Sequence, residues 1–220
     1  MRWSVPNESH FYFNKHGYVR FEGLIKEEAS QPLIHDQAFW KKTPEKVFLE
    51  GRDLWRTHAE WAKIARDRHI LTISNELLNV KPIRLAYTQA IRLTKSPHPD
   101  HFQNSTIESL IKTPIPLLES SCFQGLCIAA LICLECEENT DLPDFFPRTP
   151  GEVTFFQPTM PFPLDALYGH ADAKMMLVVY SLRTVLYVLR PKDPHTHQLK
   201  KLGYGFGDHL KDKTHPTVFN

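Results

Sequence analysis

The twelve residues Gly151-Glu152-Val153-Thr154-Phe155-Phe156-Gln157-Pro158-Thr159-Met160-Pro161-Phe162 constrain this chain more than any other stretch. They read as a turn, a strand and a second turn. Val153 to Phe156 are the β-branched and aromatic types that a pleated, buried surface favours, and Pro158 and Pro161 end the run because proline brings no ladder donor. The second turn leads to Phe162.

Upstream, the chain begins with helix signals. Ser9 to Lys15 reads as a helix that Gly17 stops, and Tyr18-Val19-Arg20-Phe21-Glu22 alternates as a half-buried strand. Ile25 to Ile34 reads as a short helix, and residues 35–50 show no clear period and read as a loop. A helix is expected from about Asp53, with Leu54, Trp61, Ile64 and Ala65 on one face. A second, about Ile70 to Leu78, carries Ile70, Ile73, Leu77 and Leu78 at helical spacing. Val80-Lys81-Pro82 ends it, since the residue before a proline is pushed out of the helical region.

From Ile83 the character becomes β. Ile83 to Leu93 alternates in part. Leu126 to Leu134 is a near-continuous apolar run whose short length and flanking turn signals favour a strand buried on both faces. Met175 to Leu189 reads as two strands broken near Ser181 to Thr184. Thr196 to Leu202 reads as a short helix before a turn at Gly203, Gly205 and Gly207. Helices first and strands after argue an α+β protein with its helices packed on one side of a sheet or barrel. A single domain over 1–220 is expected: a mainly helical N-terminal region over residues 1–82, a β core over 83–190 and a C-terminal helix and covering segment over 191–220.

Of the 220 residues, 42% are hydrophobic, enough for a sizeable core, and the formal charge is only +1. That balance gives no global attraction for nucleic acid or an anionic membrane. The longest apolar stretch, Gly125 to Leu134, is about half of what spans a bilayer. The cysteines at 122, 127, 133 and 136 crowd into one segment rather than spreading as a disulfide framework would, and the first residues carry no apolar leader. A cytoplasmic protein with reduced thiols is expected.

Four stretches together resemble the phytanoyl-CoA dioxygenase group, a branch of the iron(II), 2-oxoglutarate-dependent oxygenases. Phe13-Asn14-Lys15-His16-Gly17-Tyr18-Val19-Arg20-Phe21-Glu22-Gly23-Leu24-Ile25 is similar to that group's opening helix, Gly-Tyr, strand and Gly-Leu-Leu. Asn75 to Leu85 resembles the following helix-to-strand passage, Leu126 to Glu135 an apolar strand ending in Leu and an acid, and Gly151 to Phe156 the Gly-Asp-Val-x-x-Phe strand. Order and spacing carry the likeness, which covers roughly residues 10–190. It implies a double-stranded β-helix, a cupin-like jelly-roll barrel, with N-terminal helices packed on one sheet.

The resemblance also implies an iron site of two histidines and a carboxylate, with open positions for 2-oxoglutarate and oxygen. The chain departs from it at both places that matter. The window implied for His-x-Asp, Thr113 to Ser121, has Glu119 as its only acid and no histidine. The distal histidine would fall near Phe162. No catalytic residue, no metal and no cofactor are therefore expected. Instead, Tyr87, Leu131 and Phe162 are expected to line an apolar pocket.

Other motifs compete with this reading. His98-Pro99-Asp100, with His170 in Tyr168-Gly169-His170-Ala171-Asp172, could form a displaced triad for Fe2+ with 2-oxoglutarate. A proline-rich loop with coincidental spacing is the plainer account. Lys174 and Arg183 stand near the place where the resemblance puts a carboxylate-binding cation, though ordinary strand-end cations look the same in sequence. Cys133-Leu134-Glu135-Cys136 lacks a second pair for zinc, and its thiols would converge only if the strand turned near Glu135. His195-Thr196-His197 with Lys200 and Lys201 could meet an anion, but Asp193, Asp208 and Asp212 dilute it.

Three functions follow. The favoured one is a non-catalytic relative of the oxygenases, a binding or structural module for an unknown small molecule or protein. The second is an active iron(II), 2-oxoglutarate-dependent dioxygenase using His98, Asp100 and His170. The third is a metal-responsive regulator, for which the sequence offers no basic, aromatic-spaced nucleic-acid surface.

Overall fold

The computed structural model describes residues 4–95, 107, 110, 113–137, 142–163 and 171–219. In the N-terminal third, α1 (Asn7–His16) leads into β1 (Tyr18–Phe21), and four further helices follow, α2 (Glu27–Ile34), α3 (Gln37–Trp40), α4 (Pro44–Glu50) and α5 (Ala59–Ala65). The helix α6 (Arg68–Leu78) closes this region. The strands are β2 (Ile83–Leu93), β3 (Ile115–Pro116), β4 (Phe123–Cys136), β5 (Val153–Phe156), β6 (Pro161–Phe162), β7 (Ala173–Tyr187) and β8 (Thr217–Phe219).

Six strands form an antiparallel sheet in the order β1-β5-β4-β7-β2-β8, and β3 pairs with β6 as a separate ribbon. The mixed helix-and-strand class matches the expectation. Among the described residues the strands form this one large sheet and the small ribbon, a coarser arrangement than the expected double-stranded β-helix.

The sheet is buried on both faces, which explains why β4 reads as unbroken apolar sequence. Ile128, Ala130, Ile132 and Leu134 point toward the helices, joining Ile64, Ile70, Ile73 and Trp40 in one core. Ala129 and Leu131 point the other way, into a second core with Phe156, Phe162 and Leu177. Ile70 and Ile73 are fully buried, each contributing about 1.5–3 kcal/mol. The Tyr180 hydroxyl, in β7, ties sheet to helices by donating to the Ala65 carbonyl at 3.0 Å.

Three expectations are corrected. Residues 35–50 are not a loop: Asp36 caps α3 by accepting from the Phe39 amide at 2.9 Å, and Thr43 caps α4, whose first residue is Pro44. These caps, not hydrophobic period, specify helices too short for a period to show. Nor does β7 break near Ser181. It runs for 15 residues, with Ser181 buried and paired with Arg84 and Leu126 on either side. A polar residue inside a doubly flanked strand mimics a turn signal in sequence.

The helix expected from Asp53 is also divided: a single 3-10 turn, Leu54–Arg56, precedes α5. Past β7, a 3-10 turn at Gln198–Leu202 leads to a segment that runs beside the end of β7, with Leu186 bridged to His209, and ends as β8 on the edge of β2. Among the described residues, no helix is long and apolar enough to cross a membrane.

Candidate functional site

The face of the sheet opposite the helices carries the candidate site. A bulge in β2 between Leu85 and Tyr87 changes which residues face it. Ile83 and Leu85 belong to the helix-side core, whereas Tyr87, Ile91 and Leu93 belong to the opposite one. One extra residue inverts the alternation of everything downstream. The bulge thereby places Tyr87, and Gln89 two residues on, on the interior side.

Arg52 reaches the same interior from the connection after α4. Residues 51–53 run along β2 like a short added strand: the Ala90 amide donates to the Gly51 carbonyl and the Asp53 amide to the Thr88 carbonyl, both at 2.9 Å. Arg52 is thereby bridged to Gln89, which sets the two side chains on one face. Gly51 makes the approach possible, since a Cβ there would sit 2.5 Å from both the Ala90 Cβ and the Val47 carbonyl. Asp53 secures the far side by accepting from the Thr88 amide and the Trp55 indole, both at 3.1 Å.

The Arg52 guanidinium lies over the Tyr87 ring, 3.8 Å from its centroid, and Nη2 contacts the Asp193 carboxylate at 3.2 Å. Asp193 is fully satisfied, accepting also from the Cys122 amide at 2.8 Å and the His195 amide at 2.9 Å. Burial pushes its pKa up, but Arg52 and the donors from His195 and Cys122 outweigh burial and hold the carboxyl well below its usual range. Burial likewise opposes the charge on Arg52, and Asp193 and Tyr87 outweigh it. The Tyr87 phenol is pushed up to about 12, chiefly by burial and against the pull of Arg52.

These polar groups line one end of a cavity of about 20 Å³, with Phe48, Leu117, Phe162 and Leu177 at the other. That is room for roughly one water-sized group. Arg52 Nε and Nη1 and Gln89 Oε1 are sealed from solvent without a hydrogen-bond partner. The Gln89 amide nitrogen is spent on the Phe48 carbonyl at 2.6 Å and the Ala90 carbonyl at 3.0 Å.

Phe162, on β6, is 2% exposed. It stacks on Phe156 with ring centroids 5.5 Å apart and planes at 14°, and Phe145 meets both rings edge-on. Leu131 and Tyr87 lie in the same core cluster as Phe162, and Tyr87 stacks on Phe123 at 5.4 Å. Glu119, the one acid in the window implied for the first two ligands, is exposed on the short helix Leu117–Ser120. Where the resemblance implies an iron site, the described residues thus present carbon and one solvent-facing carboxylate, a donor set that does not fit the metal. Among the described residues, no three His, Cys, Asp or Glu side chains converge.

His98, Asp100 and His170 lie outside the described residues. Lys174 is at the end of β7, paired with Glu135 at 2.8 Å, and Arg183 is exposed; neither lines the cavity. The Cys133 and Cys136 thiols do approach one another. An extra residue in β4 between Cys133 and Glu135 supplies the irregularity needed, and the contact with Cys136, then burial, raises the Cys133 thiol far above its ordinary value. A thiol so raised is a poor metal ligand and a poor nucleophile.

Arg52, Gln89 and Asp193 had no local signal in the sequence. Arg52 and Asp193 are 141 positions apart, and the β2 bulge that turns Gln89 inward interrupts no visible pattern.

Comparison with solved structures finds several that are similar to this chain. SnoN, an α-ketoglutarate-dependent non-heme epimerase from nogalamycin biosynthesis, is 14% identical with a TM-score of 0.60, covering 96% of this chain and 97% of SnoN. HygX of Streptomyces hygroscopicus, solved with iron bound, is 14% identical with a TM-score of 0.53, over 96% of this chain and 99% of HygX. CT296 of Chlamydia trachomatis is 18% identical with a TM-score of 0.47, over 83% of this chain and 99% of CT296. At such identities SnoN and HygX show a shared fold. No protein-family model matches the chain, and no curated protein matches it.

Proposed function

We propose that this chain is a binding module built on the fold of the α-ketoglutarate-dependent oxygenases, with the metal chemistry of that fold given up. One observation supports it above the rest: the Phe162 ring, stacked on Phe156 and flanked by Phe145, fills the interior where the resemblance implies the distal histidine. A histidine ligand must present a nitrogen lone pair to an open coordination sphere. A phenylalanine packed on two other rings offers none and closes the space around it.

The cavity that remains joins an apolar wall to a polar end built from Arg52, Tyr87, Gln89 and Asp193. At about 20 Å³ it has room for one water-sized group only, so it reads as a packed remnant of an interior rather than as a ligand pocket. The reading is tested by incubating the protein in air with Fe(II), ascorbate and 2-oxoglutarate and following succinate. No succinate above the no-protein control is expected. Succinate formation that His98→Ala abolishes would replace this reading with that of a dioxygenase using His98, Asp100 and His170.

A further inference from the structure

The large sheet ends on an unpaired edge. β1 is its outermost strand and is hydrogen-bonded on one side only, to β5. The Gln157 amide donates to the Gly17 carbonyl at 2.8 Å, and antiparallel pairing alternates from there. Val19 and Phe21 therefore turn their backbone groups toward β5, while Tyr18 and Arg20 turn theirs outward. Among the described residues, nothing pairs with these two outward amides and two carbonyls. Such an edge is a template for one more strand.

An open groove of about 340 Å³ borders this edge. It is lined by Tyr18, Arg20 and Glu22 from the strand and its end, by Tyr12 from α1, and by Asp144 and Glu152. Alternation puts Tyr18, Arg20 and Glu22 on one face. A strand added to the edge would thus lay every second side chain into the groove.

Charge selects the occupant. Three carboxylates line the groove against one guanidinium. Arg20 is already committed, with Nε 3.6 Å from Glu152 and Nη1 donating to the Phe146 carbonyl at 3.4 Å. Arg148 meets Asp144 from outside the groove at 2.9 Å. That leaves the exposed Glu22 without a cation among the described residues. Tyr12 and Tyr18, edge to face with centroids 5.6 Å apart, add ring surfaces that attract a cation. A second copy of this chain would bring a groove of the same sign, and like charges oppose that pairing.

We infer that the outer edge of β1 takes up an extended basic segment of a partner protein. The segment pairs with the Tyr18 and Arg20 backbone and sets one lysine or arginine beside Tyr18 and another beside Glu22, with an uncharged residue opposite Arg20. The surface lies on the edge of the sheet, so the inference goes beyond the loss of metal chemistry and does not depend on it.

The test is fluorescence anisotropy with the labelled peptide Thr-Lys-Val-Thr-Val-Lys-Thr, blocked at both ends. It should bind saturably, and its counterpart with glutamate for lysine should not. A residue paired with Tyr18 or Arg20 shares their face, so N-methylation at the lysines and central threonine should abolish binding. N-methylation at the valines should leave it within twofold. Glu22→Lys, an exposed change, should weaken the lysine peptide at least fivefold. No saturable binding, equal binding of the glutamate peptide, or indifference to methylation at the lysines and central threonine each overturns the inference. Self-association of the peptide-free protein that Glu22→Lys alters would give the edge to a second copy and overturn it as well.

Discussion

Asp193 accepts a hydrogen bond from the buried Arg52 guanidinium at 3.2 Å, joining the connection after α4 to the C-terminal segment across 141 positions of sequence. The same carboxylate holds the Cys122 amide before β4 and the Asp193–His195 turn. Removing it strands a buried cation and two amides. Asp193→Ala should therefore cost about 3–5 kcal/mol, read as a lowered urea midpoint with unchanged slope. A loss below about 1 kcal/mol would show that water replaces the carboxylate freely.

Acid should destabilise the protein well before ordinary carboxylates titrate. His215 is fully buried, and burial, with Arg56 and Arg84 nearby, pushes its pKa down from the ordinary 6.5 to about 3. Below about pH 6.5 the unfolded chain takes up a proton that the folded one refuses, so stability falls as pH drops toward 3. The slope approaches about 1.4 kcal/mol per pH unit. Asp193, whose pKa is lowered, adds its own loss only below about pH 4. Urea midpoints at pH 7 and pH 5 measure the first effect, and His215→Asn should flatten it.

Phe162→Ala should cost about 3–5 kcal/mol, because the vacated volume lies between Phe156 and Phe145, which are held by strand pairing and their own packing. Phe162→Leu should cost less than half as much. Equal losses would mean that the ring contacts, rather than the apolar volume, carry the stabilisation.

Gly151 opens the strand that leads to Phe162. Its φ is 82°, and a Cβ there would stand 2.0 Å from the Ile25 carbonyl oxygen. That oxygen belongs to the backbone crossing next to it, where the Ile25 amide donates to the Gly151 carbonyl at 3.0 Å. Gly151→Ala should cost on the order of 3 kcal/mol or prevent folding, checked by soluble yield and thermal midpoint against Gly203→Ala. Gly203 shares the φ of 82° but has no neighbour within 4 Å of its Cβ position.

How far sequence could foresee this molecule follows from where its information lies. The eleven residues of β2 and the doubly buried β4 were legible, because burial on both faces writes itself as apolar sequence. Gly17 ends α1 in a left-handed conformation as a lone glycine after a helical run suggests. α3 and α4 were not legible as helices, since Asp36 and Thr43-Pro44 announce them by caps alone. Phe162 was placed in the interior by the family resemblance, whose distal ligand position falls there, and it is buried. The polar end of the cavity was not, because it needs a bulge at β2, a close approach at Gly51 and an ion pair between distant segments. None of these leaves a periodic trace.

The central claim, that the aromatic interior around Phe162 has displaced the metal chemistry of the fold, is tested most directly by anaerobic calorimetry. Fe(II) is titrated into the protein, then 2-oxoglutarate into the mixture. The expected result is no saturable one-to-one iron binding and no heat of 2-oxoglutarate binding that depends on iron. Stoichiometric iron binding that in turn enables 2-oxoglutarate binding would contradict the claim.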